Sequence, residues 1–235
     1  MLPSALIIDL DGTLADTERD GHRVAFNRAF AEAGLDWVWD APLYGELLAV
    51  AGGKERMRHY VECYRPDYRP SPDSGRLIDL LHAAKTRHYG ALVAAGAIPL
   101  RPGVRTFLEE ARRASVRLAI ATTTTRDNVD ALLSHALASD AVGWFHVIAA
   151  GDGVAAKKPA PDVYYWVLKR LGLSGSECVA FEDSGMGLRS ALAAGVPTVV
   201  TVNDYTRDQD FRGAALVVED LSRVRLAELE DLAIG

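Results

Sequence analysis

From residue 100 onward the chain alternates two periodicities, and this alternation constrains the fold more than any other feature. "VRTFLEEARRA" carries apolar residues at helical spacing, whereas "VRLAIAT" is a short apolar run of strand type. The same exchange repeats through "RDNVDALLSHAL" and "WFHVIAAG", "PDVYYWVLKRLG" and "ECVAFED", and "MGLRSALAAG" and "PTVVTV". Strands alternating with helices in this way predict an α/β fold built on a parallel sheet. The run from Ala5 to Leu10 supplies one more strand of the same set.

The stretch between that first strand and Arg101 differs in character. Helical patterns run from Asp16 to Ala33, Leu43 to Val50, Lys54 to Cys63 and Asp73 to Ala95, with little strand signal. The expected organisation is therefore a core of residues 1–15 and 97–235 with a helical insert over 16–96. Pro99 and Pro102 in "GAIPLRPGV" mark the return to the core, and the proline-rich "RPDYRPSPDSG" reads as a loop within the insert.

A chain of 235 residues, 49% hydrophobic and 25% charged, has material for a sizeable core. Its net charge of −6 and lack of a long basic run speak against broad nucleic-acid binding. Cys63 and Cys178 stand far apart with no CxxC spacing, so no disulfide framework or zinc site is expected, and both read as buried apolar residues. The start "MLPSALIIDLDG" has no basic segment before its apolar run, and no stretch is long enough to span a bilayer. A cytoplasmic monomer with no nucleic-acid or membrane partner is the expectation.

Polar clusters follow directly after several of the strands: Asp9 and Asp11, Thr122 and Thr123, Lys158, and Glu182 with Asp183. In an open parallel sheet the C-terminal strand ends border the ligand crevice, so these clusters are expected to converge. An aspartate carboxylate can attack a phosphoryl group and split its transfer into two displacements, which suits Asp9. Asp11, where the strand breaks at Gly12, suits a general acid and base. Thr122 offers a neutral donor and Lys158 a compact positive charge for the phosphoryl oxygens. Asp183, with Asp9 and the Asp11 carbonyl, forms an oxygen-only set for Mg2+, steadied by Glu182. Asp16 reads as a helix cap, and Trp37 and Trp39 as packing residues of the insert.

"DLDGT", "IATTTT", "KKPAPDVY" and "FEDSGMG", in that order, closely resemble the four signature motifs of the haloacid dehalogenase superfamily. The resemblance spans nearly the whole chain. It implies a Rossmann-like core, a helical C1 cap that closes over the crevice, and Mg2+ as cofactor. Members that dehalogenate lack the second aspartate, so Asp11 implies phosphate-ester chemistry. Within the superfamily, "TERDGHRVAFNRAFAEAGLDWVWD" and "AGGKERM" resemble the CbbY branch, which implies hydrolysis of xylulose 1,5-bisphosphate, an inhibitory by-product of Rubisco. By that analogy the cap supplies a second anion site from Lys54 and Arg56, with His22, Lys85 and Thr123 as further substrate contacts and Gly53 allowing close backbone approach. "TERDGHR" is one residue longer before its histidine than the branch's pattern. A phosphomutase of the β-phosphoglucomutase kind shares the same four motifs and cap type, and a third reading is a non-catalytic phosphometabolite sensor, against which the intact Asp9, Asp11, Lys158 and Asp183 speak.

Overall fold

The first apolar run forms β1 (Ala5–Ile8), and all four of its residues are buried. A strand enclosed on both faces needs apolar side chains throughout, which is why it shows no alternation. In the computed structural model, which describes residues 1–50, 52–65, 68, 74–151 and 156–232, β1 pairs in parallel with β2 (Arg117–Ala121) and β4 (Cys178–Glu182). Outside these lie β3 (Phe145–Ala149) on one side and β5 (Thr198–Thr201) and β6 (Leu216–Val218) on the other, giving the parallel order β3-β2-β1-β4-β5-β6. This doubly wound order reverses at β1, so the ligand crevice belongs outside the C-terminal ends of β1 and its neighbours. β6 is absent from the sequence reading because it has three residues, two of them exposed, and so carries no apolar run.

Helices α5 (Val104–Arg113), α6 (Arg126–Leu132), α7 (Asp162–Leu171) and α8 (Gly185–Ala193) lie in the same unit. α7 buries Val163, Tyr164, Val167, Leu168 and Leu171 along one stripe, packed in a cluster with Ile7, Ala119 and Ala180 of the sheet.

The chain divides into two compact units, Met1–Asp16 with Ile98–Gly235, and Thr17–Ala97. The second begins with a π turn over Thr17–His22 that runs into α1 (Arg23–Glu32), followed by α2 (Ala41–Leu47), α3 (Gly53–Tyr64) and α4 (Ser74–Ala94). A π turn takes up one more residue than an α turn.

Trp37 and Trp39 are buried in this unit, with their rings 5.4 and 4.9 Å from that of Phe30. Asn27 locks the segment by accepting from the Trp39 N–H and donating to the Trp39 carbonyl, both at 2.8 Å. Cys178 is buried, whereas Cys63 is exposed on α3, its sulfur 3.6 Å from His59 Nδ1, which corrects the expectation of a buried thiol. The proline-rich stretch between α3 and α4 falls for the most part outside the described residues. No described helix is long and apolar enough to cross a membrane.

Candidate active site

β1 ends at Ile8, and the next residue continues the pairing: the Asp9 N–H donates to the Phe181 carbonyl at 2.9 Å. The Asp9 side chain is thereby held at the strand end, 6% exposed. Lys158 Nζ donates to Asp9 Oδ1 at 2.6 Å and to the Ala121 carbonyl at 2.8 Å, and lies 2.6 Å from Glu182 Oε1. Three acceptors thus engage the three hydrogens of one ammonium. Glu182 also accepts from the Tyr164 hydroxyl, which reaches it from the buried stripe of α7.

Asp183 lies beyond β4 and accepts from Asn203 Nδ2 at 2.8 Å. Asp9, Glu182 and Asp183 each present a carboxylate oxygen within 4.8 Å of the others, and among the described residues no other acidic, histidine or cysteine group of three is as close. Burial raises the Glu182 carboxyl, Lys158 draws it down and the Asp9 charge adds to the rise, leaving it at about 7. Asp183 is pushed well above the carboxylate range by burial and by the Asp9 and Glu182 charges. Burial opposes the Lys158 ammonium, but Asp9 and Glu182 prevail and hold its pKa above the ordinary lysine value. Three carboxylates crowd one ammonium, and the raised Glu182 and Asp183 carboxyls show that ionising all three would leave uncompensated negative charge in an all-oxygen set. Such a set fits a hard divalent cation.

The turn that carries Asp11 is tight. Gly12 has φ +82°, its N–H donates to the Ala15 carbonyl at 2.8 Å, and a Cβ there would lie 2.2 Å from Asp183 Oδ2. Only glycine fits this backbone and this approach. Thr122 is buried beyond β2, and its hydroxyl oxygen accepts from the Thr124 N–H at 3.3 Å, leaving the hydroxyl hydrogen to point elsewhere. Thr123 is exposed.

In the helical unit, Glu18 and His22 both lie on the π turn. The Tyr44 hydroxyl donates to Glu18 at 2.6 Å, and Arg56 Nη1 lies 3.0 Å from the same hydroxyl while its Nε donates to the Leu47 carbonyl. Lys85 Nζ lies 2.9 Å from His22 Nδ1, and the His22 ring stacks on Tyr89 at 4.0 Å. Lys54 stands apart from these contacts, ion-paired with Asp79 at 2.6 Å. Gly53 opens α3, where a Cβ would meet the His82 ring at 3.1 Å.

Burial lowers the His22 pKa, Glu18 opposes this, and Lys85 and Arg56 add to the fall, which ends at about 4. At neutral pH the imidazole is therefore uncharged, its Nδ1 accepting from the lysine. An NMR titration is expected to place the His22 midpoint near 4, and Lys85→Met is expected to raise it. A midpoint near 6.5, unmoved by that substitution, would contradict this arrangement.

Of the residues singled out in the sequence, the structure joins Asp9, Lys158, Glu182 and Asp183 in one cluster, and Arg56, His22 and Lys85 around Glu18 in another. Tyr164, Asn203, Glu18 and Tyr44 escaped the sequence reading. Asn203 follows β5 and carries the same signal as the core motifs, a polar residue just past a strand end. Tyr164 is hidden in an amphipathic pattern.

Residues 3–195 match the family model of the haloacid dehalogenase-like hydrolases. The chain is 55% identical over 217 residues to the plasmid-encoded CbbY protein of Cupriavidus necator, covering 92% of this chain and 85% of that one. It is 48% identical to CbbY of Rhodobacter capsulatus, covering 97% of this chain and 98% of the other. Among solved structures, an aspartate-to-asparagine mutant of Rhodobacter sphaeroides CbbY in complex with xylulose 1,5-bisphosphate superposes with a TM-score of 0.76 at 43% identity, over 94% of this chain and 96% of that one. The carboxylate cluster at the crevice and these likenesses agree, and the chain belongs to the haloacid dehalogenase-like hydrolases as a CbbY-like phosphatase.

Proposed function

We propose that this phosphatase is Mg2+-dependent and hydrolyses xylulose 1,5-bisphosphate through an aspartyl phosphate on Asp9. The observation that carries the reading is the Asp9 carboxylate, buried at the end of β1, ion-paired with Lys158 and crowded by Asp183 and Glu182. An Asp9 oxygen attacks phosphorus, the bond from phosphorus to the sugar oxygen breaks, and Asp11 gives that oxygen its proton. Asp11 then takes a proton from water, whose oxygen attacks the same phosphorus and returns Asp9 as a carboxylate with release of phosphate. The Thr122 hydroxyl and Lys158 supply donors to the phosphoryl oxygens. Mg2+ would be held by Asp9 and Asp183, with the Asp11 carbonyl, and would neutralise phosphoryl charge as a Lewis acid. Glu182, engaged by Lys158 and Tyr164, steadies that shell from behind.

The substrate is supported by the bisphosphate complex of the Rhodobacter sphaeroides relative, and a bisphosphate needs a second cationic element. Arg56 and Lys85, set against the Glu18 carboxylate, give this cluster in the helical unit a local surplus of positive charge beside a neutral His22. Thr123, Lys54 and the Gly53 backbone complete the proposed substrate contacts. In this reading the protein is a cytoplasmic monomer serving carbon fixation by the Calvin cycle.

Phosphate release from xylulose 1,5-bisphosphate, ribulose 1,5-bisphosphate and β-glucose 1-phosphate, with Mg2+ and with chelator, tests the reading. Release that needs Mg2+ and favours the xylulose ester by about 100-fold or more in kcat/KM is expected, since a site built for two charged groups strongly rejects analogues that leave them unpaired. Equal turnover of all three would refute the substrate. Isomerisation of the glucose ester without phosphate release would favour the mutase reading, which the same motifs and cap type also allow.

A further inference from the structure

Arg101 is a charged residue only 8% exposed. It follows Pro99 and Leu100 on the chain's return to the sheet-bearing unit. There the Arg101 N–H donates to the Leu14 carbonyl at 2.9 Å and Leu100 bridges Ala15. Its guanidinium is fully engaged. One terminal nitrogen donates to the Gly12 carbonyl and to Thr201, at 3.0 Å to the carbonyl and 3.2 Å to the hydroxyl. The other donates to the carbonyls of Val202 and, at 2.8 Å, Glu219, while Nε faces Asp16 Oδ1 at 3.4 Å. The ends of β5 and β6 are thus tied to one peptide group, that of Gly12.

Gly12 is the residue after Asp11. Its N–H is held by the Ala15 carbonyl and its own carbonyl by Arg101, with Asn203 Nδ2 a further 3.5 Å contact. Both polar groups of a residue at φ +82° are therefore tethered, and the main chain leaving Asp11 has one orientation. A lysine has three donors on a point charge and cannot replace a planar fork serving five directions.

We propose that Arg101 is the positioning residue for Asp11: by holding the Gly12 carbonyl to the ends of β5 and β6, it sets the turn from which Asp11 protonates the leaving oxygen. The inference rests on the acid role of Asp11 stated above. It separates two kinds of loss. A role confined to stability lowers activity on every ester alike, whereas misplacing Asp11 penalises only esters whose leaving oxygen needs a proton.

The test is kcat/KM for phenyl phosphate and p-nitrophenyl phosphate, alike in shape, of which the second leaves as a stable anion. This parameter stops at departure of the alcohol, so later hydrolysis of the aspartyl phosphate does not enter. Asp11→Asn is expected to depress the phenyl ester about 100-fold more than the nitrophenyl ester, within the usual range for a general acid. Arg101→Lys is expected to cost about 10- to 100-fold on the phenyl ester and less than about threefold on the other, as a displaced acid would. Asp16→Asn, which leaves the carbonyl contacts in place, is expected to give a smaller loss of the same selectivity and decides the matter if Arg101→Lys does not fold. Equal losses on both esters in the folded Arg101 or Asp16 variants, with Asp11→Asn selective, overturn the proposal. An unselective Asp11→Asn overturns the acid reading and the proposal with it.

Discussion

Asp9→Asn is expected to abolish phosphate release, by a factor on the order of 10⁴ or more in kcat, while leaving the protein folded. An amide nitrogen or oxygen is no substitute for the attacking carboxylate, yet the asparagine oxygen still accepts from Lys158 where Asp9 Oδ1 does, at 2.6 Å. The substitution also removes the Asp9 charge that helps to raise Glu182 and Asp183. Substrate affinity, measured by calorimetry, should therefore be kept or strengthened while turnover is lost. A variant that turns over at a tenth of the wild-type rate would exclude Asp9 as the nucleophile. A variant that loses its melting transition would show that the carboxylate is needed for folding.

Lys158→Met is expected to damage both rate and stability. The rate should fall about 10²- to 10³-fold, the usual consequence of losing one donor to a developing oxyanion. Stability should fall by about 3–5 kcal/mol, because a buried pair broken on one side leaves charge without compensation. The loss has a direction in pH. Burial, opposed by Lys158 and reinforced by Asp9, puts Glu182 at about 7 in the folded protein against 4.5 when free, so the native state holds protons that the unfolded chain releases. Stability from this group is complete below about 4.5 and is lost as pH rises through about 7. Removing the ammonium extends the same trend upward. Melting in chelator should show the variant far less stable than wild type at pH 8 and closer to it at pH 5, with Mg2+ recovering part of the difference at pH 8. A deficit independent of pH would mean that the carboxylates do not set the stability of this site.

The parts of this molecule that were legible in the sequence share a cause. β1, β2, β4 and β5 are enclosed on both faces, so burial demanded apolar runs, and the polar residues that stop those runs stand out. Asp9, Thr122, Glu182 and Asp183 are visible for that reason alone. Parallel order then brings their strand ends together, as it does Lys158 through the loop that follows β3. What escaped is held by partners distant in sequence. Arg101 sits in a segment that reads as a simple boundary, because nothing local reveals that its acceptors lie on Gly12, Thr201, Val202 and Glu219. Glu18 meets Tyr44 across 26 residues, and Tyr164 meets Glu182 across 18. Local propensity is silent about such pairs, since it describes the backbone and not the far end of a side chain. Cys63 misled for the opposite reason: thiols are usually buried, and this one follows a helix face that is not.

The engagement of Lys158 bears on how any phosphate arrives. Its three hydrogens already point at Asp9, Glu182 and the Ala121 carbonyl, so a phosphoryl oxygen enters by exchange and not by addition. In the proposed reaction, when Asp9 becomes an acyl phosphate its negative charge passes outward to the phosphoryl oxygens, and one lysine hydrogen can follow it. When water restores the carboxylate, that hydrogen has its first partner again. The departing phosphate is thus in competition with a side chain of the protein for the same donor, and the resting arrangement itself favours an empty site.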